Sequence, residues 1–268
     1  MVAIAVSHLV ASTERFGSFL VDIAEGFGKA WIFLFKILLS IFKLPLRLHL
    51  LLVQLYQIGV NSSLVIALIA GFTGAVLAVQ GEYTLSKFGA TAFTGSAVAL
   101  SLIRELGPVL TALMVIGRAG SAITAEVGIM RITEQIDALR SMAVDPIKYL
   151  MVPRFVAGLI AMPLLCAMFI VIGIGGGYVV GVGLLGLSSG TFMSQMIHAV
   201  GLTDVYSGFI KSLVFGFIFG WVSCYKGYTC GFGAVGVNKA TTQSVVTASV
   251  AVLVVDYFLT SILTRVFL

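Results

Sequence analysis

A chain of 268 residues that is 59% hydrophobic and only 10% charged, with a mean hydropathy of +1.11, holds more apolar surface than one soluble core can bury. Ordinary soluble domains carry roughly 25% charged residues, so this composition excludes a typical soluble enzyme and makes the lipid bilayer the solvent. The formal charge of +5 does not point to nucleic acid, because the basic residues stand at the ends of apolar segments, where they orient a membrane chain.

The opening residues, MVAIAVSHLVASTERFG, have neither a basic start nor a clear small-residue cleavage site. No removable signal peptide is expected, and the N-terminus is expected to stay in the cytoplasm. Lys29, Lys36 and Lys43 then recur every seven residues, with Phe33 and Ser40 between them and Arg47 four residues beyond, drawing a mostly basic stripe along a segment otherwise rich in Trp, Phe, Ile and Leu. Three lysines are costly at membrane depth, so residues 27–47 are predicted to lie as a helix in the headgroup plane.

Residues 48–81 contain no Asp, Glu, Lys or Arg, which predicts a first span at 60–81 preceded by a lead-in that hugs the membrane. Glu82 and Lys87 mark a short loop. A second span at 95–118 is interrupted by Arg104 and Glu105 and ends at Arg118, after which Arg131, Arg140, Lys148 and Arg154 mark the main extramembrane loop. Further spans are predicted at 155–185, 206–225 and 241–264. Lysine and arginine number five, five and two in alternate connections, against one, none and one on the other side. The positive-inside rule then gives a cytoplasmic N-terminus and a periplasmic C-terminus. The fold expected is all-α and polytopic, with about five transmembrane helices: one domain over 1–268, divided into an N-terminal segment 1–50 and a transmembrane core 51–268.

Arg104 and Glu105 fall near the middle of a span, where isolated charge pairs or faces a polar cavity. Neighbouring helical residues point about 100° apart, so the two are free to take separate partners. Pro108 follows closely and removes one backbone hydrogen bond. After the second span, Ile129, Ile132, Ile136, Leu139 and Ala143 recur every three or four residues while Arg131, Glu134, Gln135 and Arg140 take other faces, predicting an amphipathic helix at about 124–143 that either docks on a soluble partner or packs on its own membrane domain. Asp145 and Pro146 are suited to cap and begin a next, short helix. Gly173, Gly177 and Gly181, and the pair Gly216 and Gly220, suit either a dimer contact or ordinary intramembrane packing. Cys166, Cys224 and Cys230 show no CxxC or ligand spacing, so free thiols and no metal site are expected. No GxxxxGK[ST], HExxH or GxSxG is present, so any energy input is expected from another chain.

The continuous stretch ELGPVLTALMVIGRAGSAITAEVGIMRITEQIDAL, residues 105–139, closely resembles the signature segment of the MlaE/YrbE-type permeases. The flanking stretches FTGAVLAVQG at 72–81, MAVDPIKYLMVPR at 142–154 and KATTQSVVTASVAVLVVDYFLT at 239–260 agree with it. The resemblance implies a non-catalytic, multi-pass inner-membrane subunit of an ATP-driven phospholipid transport system. Its partners would be a second copy of itself, a cytoplasmic ABC ATPase that uses ATP and Mg, a periplasmic MCE-domain hexamer and, in some systems, a STAS-domain protein. It also implies that Leu77, Gln80, Thr84, Phe88, Arg104, Glu105 and Leu106 bind lipid, and that Glu126, Ile129, Arg131, Ile132, Glu134, Gln135, Ile136 and Leu139 couple to the ATPase. The competing reading is a stand-alone secondary transporter or channel with Arg104 and Glu105 as an ion relay.

Overall fold

The computed structural model describes residues 25–41 and 48–267, in two compact units, Met1–Pro45 and Leu46–Leu268. In the first unit, residues 25–41 form a helix, α1, with Lys29 and Glu25 paired 2.7 Å apart on successive turns. Exposed Trp31, Ile32 and Phe35 alternate along it with exposed Lys29 and Lys36. The expected basic stripe continues to Lys43 and Arg47, which lie outside the described residues, as does the opening segment.

The second unit is built on five helices long and apolar enough to cross a membrane: α2 (Leu48–Ser86), α3 (Thr91–Ile132), α5 (Ile147–Gly183), α7 (Leu202–Tyr228) and α8 (Gly233–Phe267). Two short helices, α4 (Gln135–Ser141) and α6 (Ser189–Ala199), fill connections. No strand occurs among the described residues. The lead-in expected before the first span is continuous with it, because no charge interrupts residues 48–81, and the helix carries on through Glu82 to Ser86; only a π-helical turn at Tyr56–Val60 marks the junction. Likewise α3 runs on past Arg118 to Ile132: an amphipathic sequence sustains a helix in water as an apolar one does in lipid.

The single amphipathic helix expected at about 124–143 is two pieces. Its first part is the end of α3, which stops at Thr133 and at Glu134, whose φ of 59° is left-handed. The remainder is α4, closed by Ala143 at φ 57°. There the Val144 N–H donates to Leu139 O at 2.9 Å and the Ala143 N–H to Arg140 O at 3.0 Å, a Schellman closure with alanine where glycine is favoured. The break moves Ile136 into the chain's own interior, fully buried, while Ile129 stays half exposed. Asp145 then caps the next helix by accepting the Ile147 N–H at 2.9 Å, and that helix is the long α5 itself.

Consecutive spans alternate in direction, so one end of the unit carries the α2–α3 turn, α6, the start of α7 and the end of α8. The other, basic end carries α4 and the α7–α8 connection, with Arg131, Arg140, Lys148, Arg154, Lys226 and Lys239. The glycines close helix pairs inside the chain. A methyl on Gly74 of α2 would collide with the backbone of Gly173 on α5, and Gly216 and Gly220 of α7 face Met162 and Phe155 of α5. Phe155, Phe169, Phe215 and Phe219 fill the resulting core.

Candidate functional site: a charged pocket between α3, α7 and α8

The site begins with a backbone defect. Pro108 has no N–H, so the Arg104 carbonyl loses its ordinary helical partner four residues on. In compensation, residues Leu102–Leu106 adopt a π-helical turn in which the Gly107 N–H reaches back to Leu102 O. Such turns gather at functional positions, and this one carries Arg104 and Glu105. Gly208 of α7 lies so close that an added Cβ would come 2.5 Å from Ile103 O, which brings α7 within reach of the freed carbonyl.

Lys211 fills the gap. Its ammonium donates to Arg104 O at 3.0 Å, to Glu105 Oε2 at 2.6 Å and to Thr260 Oγ1 of α8 at 2.7 Å. An ammonium has three donors, and all three are used. Asp256 Oδ1 stands 3.1 Å from the same nitrogen yet receives no hydrogen bond; it contributes charge, not a bond. The Lys211 side chain is 1% exposed.

Arg104 turns to a different partner. Its Nε and Nη2 both lie 2.6 Å from Asp204 Oδ1, and Asp204 Oδ2 accepts the Gly201 N–H at 2.9 Å, which fixes the carboxylate at the start of α7. Asp204 is buried, whereas the Arg104 side chain is 44% exposed. A cleft opens beside them, lined by Arg104, Glu105, Thr203, Asp204, Ser207, Lys211 and, from α8, Thr260, Leu263 and Thr264. Arg104 and Glu105 thus take separate partners, as their helical spacing allows, and both partners sit on α7.

Leu106 lies half buried just past them without lining the cleft. Of the remaining lipid candidates, Leu77 is half buried on α2, Gln80 and Thr84 are exposed and joined by a 2.8 Å bond from the Thr84 hydroxyl to Gln80 O, and Phe88 is 79% exposed in the α2–α3 turn. Within one chain none of these four reaches the cleft. Sequence reasoning missed Asp204, Lys211, Asp256 and Thr260. Lys211 and Asp256 carried a usable signal, each being an ionisable group inside an apolar span.

At the basic end, the coupling candidates divide. Glu126 pairs with buried Arg154 at 3.2 Å, which also donates to Leu150 O. Arg131 lies 3.7 Å from Asp137 and over the ring of Tyr228. Asp137 pairs with Arg140 at 2.9 Å, and Arg140 also bonds the Tyr228 hydroxyl. Ile132 and Leu139 are half buried; Glu134 and Gln135 are exposed. All three cysteines are free. Burial raises the Cys230 thiol pKa above its ordinary value, against the opposing pull of Arg131, so the group stays a neutral thiol at neutral pH.

Five apolar helices, three of them lining a charged cleft, define a polytopic membrane protein. Residues 51–262 match the Permease MlaE family. The chain is 44% identical over 258 residues to the intermembrane phospholipid transport system permease protein MlaE of Haemophilus influenzae, covering 95% of this chain and 98% of that one. It is 44% identical over 246 residues to a probable ABC transporter permease protein of Rickettsia felis, covering 92% and 95%. It is 35% identical over 226 residues to the chloroplastic protein TRIGALACTOSYLDIACYLGLYCEROL 1 of Arabidopsis thaliana, covering 84% and 65%. The chain belongs to the MlaE permease family.

Proposed function

We propose that this chain is the membrane-spanning subunit of an ATP-driven phospholipid transporter, moving lipid between the inner membrane and the outer envelope. In this reading two copies form a dimer in the inner membrane, with the basic end in the cytoplasm against an ABC ATPase that binds ATP and Mg. The opposite end meets a periplasmic MCE-domain hexamer, and a STAS-domain protein joins on the cytoplasmic side. The observation that carries the proposal is Arg104: nearly half exposed, clamped by Asp204, and lining a cleft among apolar helices. A lipid needs an apolar slot for its chains and a charge-assisted donor for its phosphate, and an arginine held by its Nε side presents its remaining N–H groups outward.

The test is mass spectrometry of lipid retained by the complex purified in mild detergent. Replacing Arg104 by Ala should cut retained lipid about twentyfold, within the roughly 1.5–3 kcal/mol of a hydrogen bond to a charged group, with ATPase association unchanged; Arg104→Lys should recover part of it. Undiminished retention in a folded Arg104→Ala protein would reject the cleft as the lipid site. Co-purification of the ATPase separates this reading from a stand-alone transporter. A cysteine at Leu85 should label only from the periplasm, and one at Glu134 only from the cytoplasm, after the native cysteines are removed.

A further inference from the structure

In and behind the cleft, two cations, Arg104 and Lys211, stand against three carboxylates, Glu105, Asp204 and Asp256. With all five ionised the wall carries one net negative charge; with one carboxylate protonated it is neutral. In neither state is it net positive, so it offers no general attraction to an anionic ligand.

The groups are also unequally available. Lys211 has spent its three donors and is sealed from solvent. Arg104 gives Nε and Nη2 to Asp204 and keeps Nη1 without a hydrogen bond among the described residues. Glu105 is its mirror image: its side chain is 43% exposed, Oε2 is held by Lys211, and Oε1 has only a 3.3 Å contact with the Thr260 hydroxyl. One turn of α3 therefore presents a spare donor and a spare acceptor of opposite charge at adjacent positions on the cleft wall.

That pair matches a headgroup carrying a phosphate and an ammonium together. A headgroup with phosphate and hydroxyls alone would satisfy Arg104, desolvate Glu105 with no cation to replace its water, and bring negative charge to a wall that is already neutral or negative. We infer that the cleft prefers zwitterionic phospholipids with a primary ammonium over anionic ones, the phosphate meeting Arg104 and the ammonium meeting Glu105. This inference rests on the lipid-transport reading above.

The experiment compares headgroups retained by the detergent-purified complex with those of the membrane it came from, using a membrane of ethanolamine and glycerol phospholipids. The ethanolamine-to-glycerol ratio on the wild-type complex should exceed the membrane ratio about threefold, the scale of one partly exposed ion pair. Glu105→Gln should return it to the membrane ratio in a complex that still folds, because Lys211 keeps Asp256 as its counter-charge. Should that variant fail to fold, Thr203→Lys adds a cation at the exposed rim and should move the ratio toward glycerol lipids. A wild-type ratio at or below that of the membrane, or a ratio that folded Glu105→Gln and Thr203→Lys proteins both leave unchanged, overturns the preference while the lipid site stands. A wild-type complex that retains no lipid overturns both.

Discussion

The two ends of the membrane unit use the same kinds of side chain in opposite ways. Around the cleft, a lysine with 1% exposure is surrounded by acceptors from α3 and α8; at the basic end, Asp137 and Arg140 form a pair in which both side chains are about half exposed. Distance does not distinguish them, since both pairs lie under 3 Å. Burial does, because removing one member of a buried pair strands a charge that water cannot reach, whereas an exposed pair exchanges readily for hydration. The Lys211 cluster is thus held by obligatory contacts and the Asp137–Arg140 pair on α4 by replaceable ones, while buried Arg154 with Glu126 is the basic end's own obligatory contact.

The sharpest way to break this contrast is Lys211→Met. It leaves Glu105 and Asp256 facing each other without a cation and leaves the Arg104 carbonyl uncapped, so a loss of about 3–5 kcal/mol is expected, read as a large drop in melting temperature of the purified protein. A small drop would mean that the cluster is held by helix packing alone. Next in size is Ile136→Ala at the basic end, expected to cost about 2–4 kcal/mol because the side chain is fully buried. Ile129→Asp, on a half-exposed residue of the same expected stripe, should leave melting unchanged and weaken ATPase pull-down. Loss of stability from Ile129→Asp with intact Ile136→Ala would reverse the assignment of that stripe.

Smaller and opposite in sign is Ala143→Gly. It relieves a left-handed backbone at φ 57° and should raise stability by about 0.5–1 kcal/mol, a gain a melting curve can resolve. Smallest of all, Arg140→Ala should change stability by under about 1 kcal/mol. A larger effect would show that the Arg140 contact with Tyr228, which ties α4 to α7, outweighs the exposed pair.

The five spans were legible because uninterrupted apolar length is a property of neighbouring residues, which sequence displays directly. Arg104 and Glu105 stood out for the complementary reason, as charges inside such a run. Their partners did not, because Asp204 sits in the first turn of a helix, where acidic residues are common, and Lys211 lies near the start of the expected 206–225 span, where a basic residue ordinarily marks a segment end. Pairing Lys211 with Glu105 and Thr260 needs the relative rotation of three helices, which periodicity within one helix does not contain. The split of the 124–143 segment was hidden for a different reason. Glu134 and Ala143 are not turn residues by type, so their left-handed backbone leaves no compositional mark. The glycine runs were visible, but which helix each one faces depends on tertiary packing.

One feature of α3 bears on transport mechanics. The helix that displays Arg104 is the same one that ends at Ile132, beside the Glu134 turn. Twenty-eight residues at 1.5 Å each place these positions about 42 Å apart along a single rod. A tilt of about 5° pivoting at the cleft would swing the far end by about 4 Å, more than a hydrogen bond's length. The π-helical turn at Ile116–Gly120 lies between the two and supplies a site where the rod can flex. A tilt of α3 thus moves the Arg104 turn and the start of α4 together, unless the bend is taken up at Ile116–Gly120.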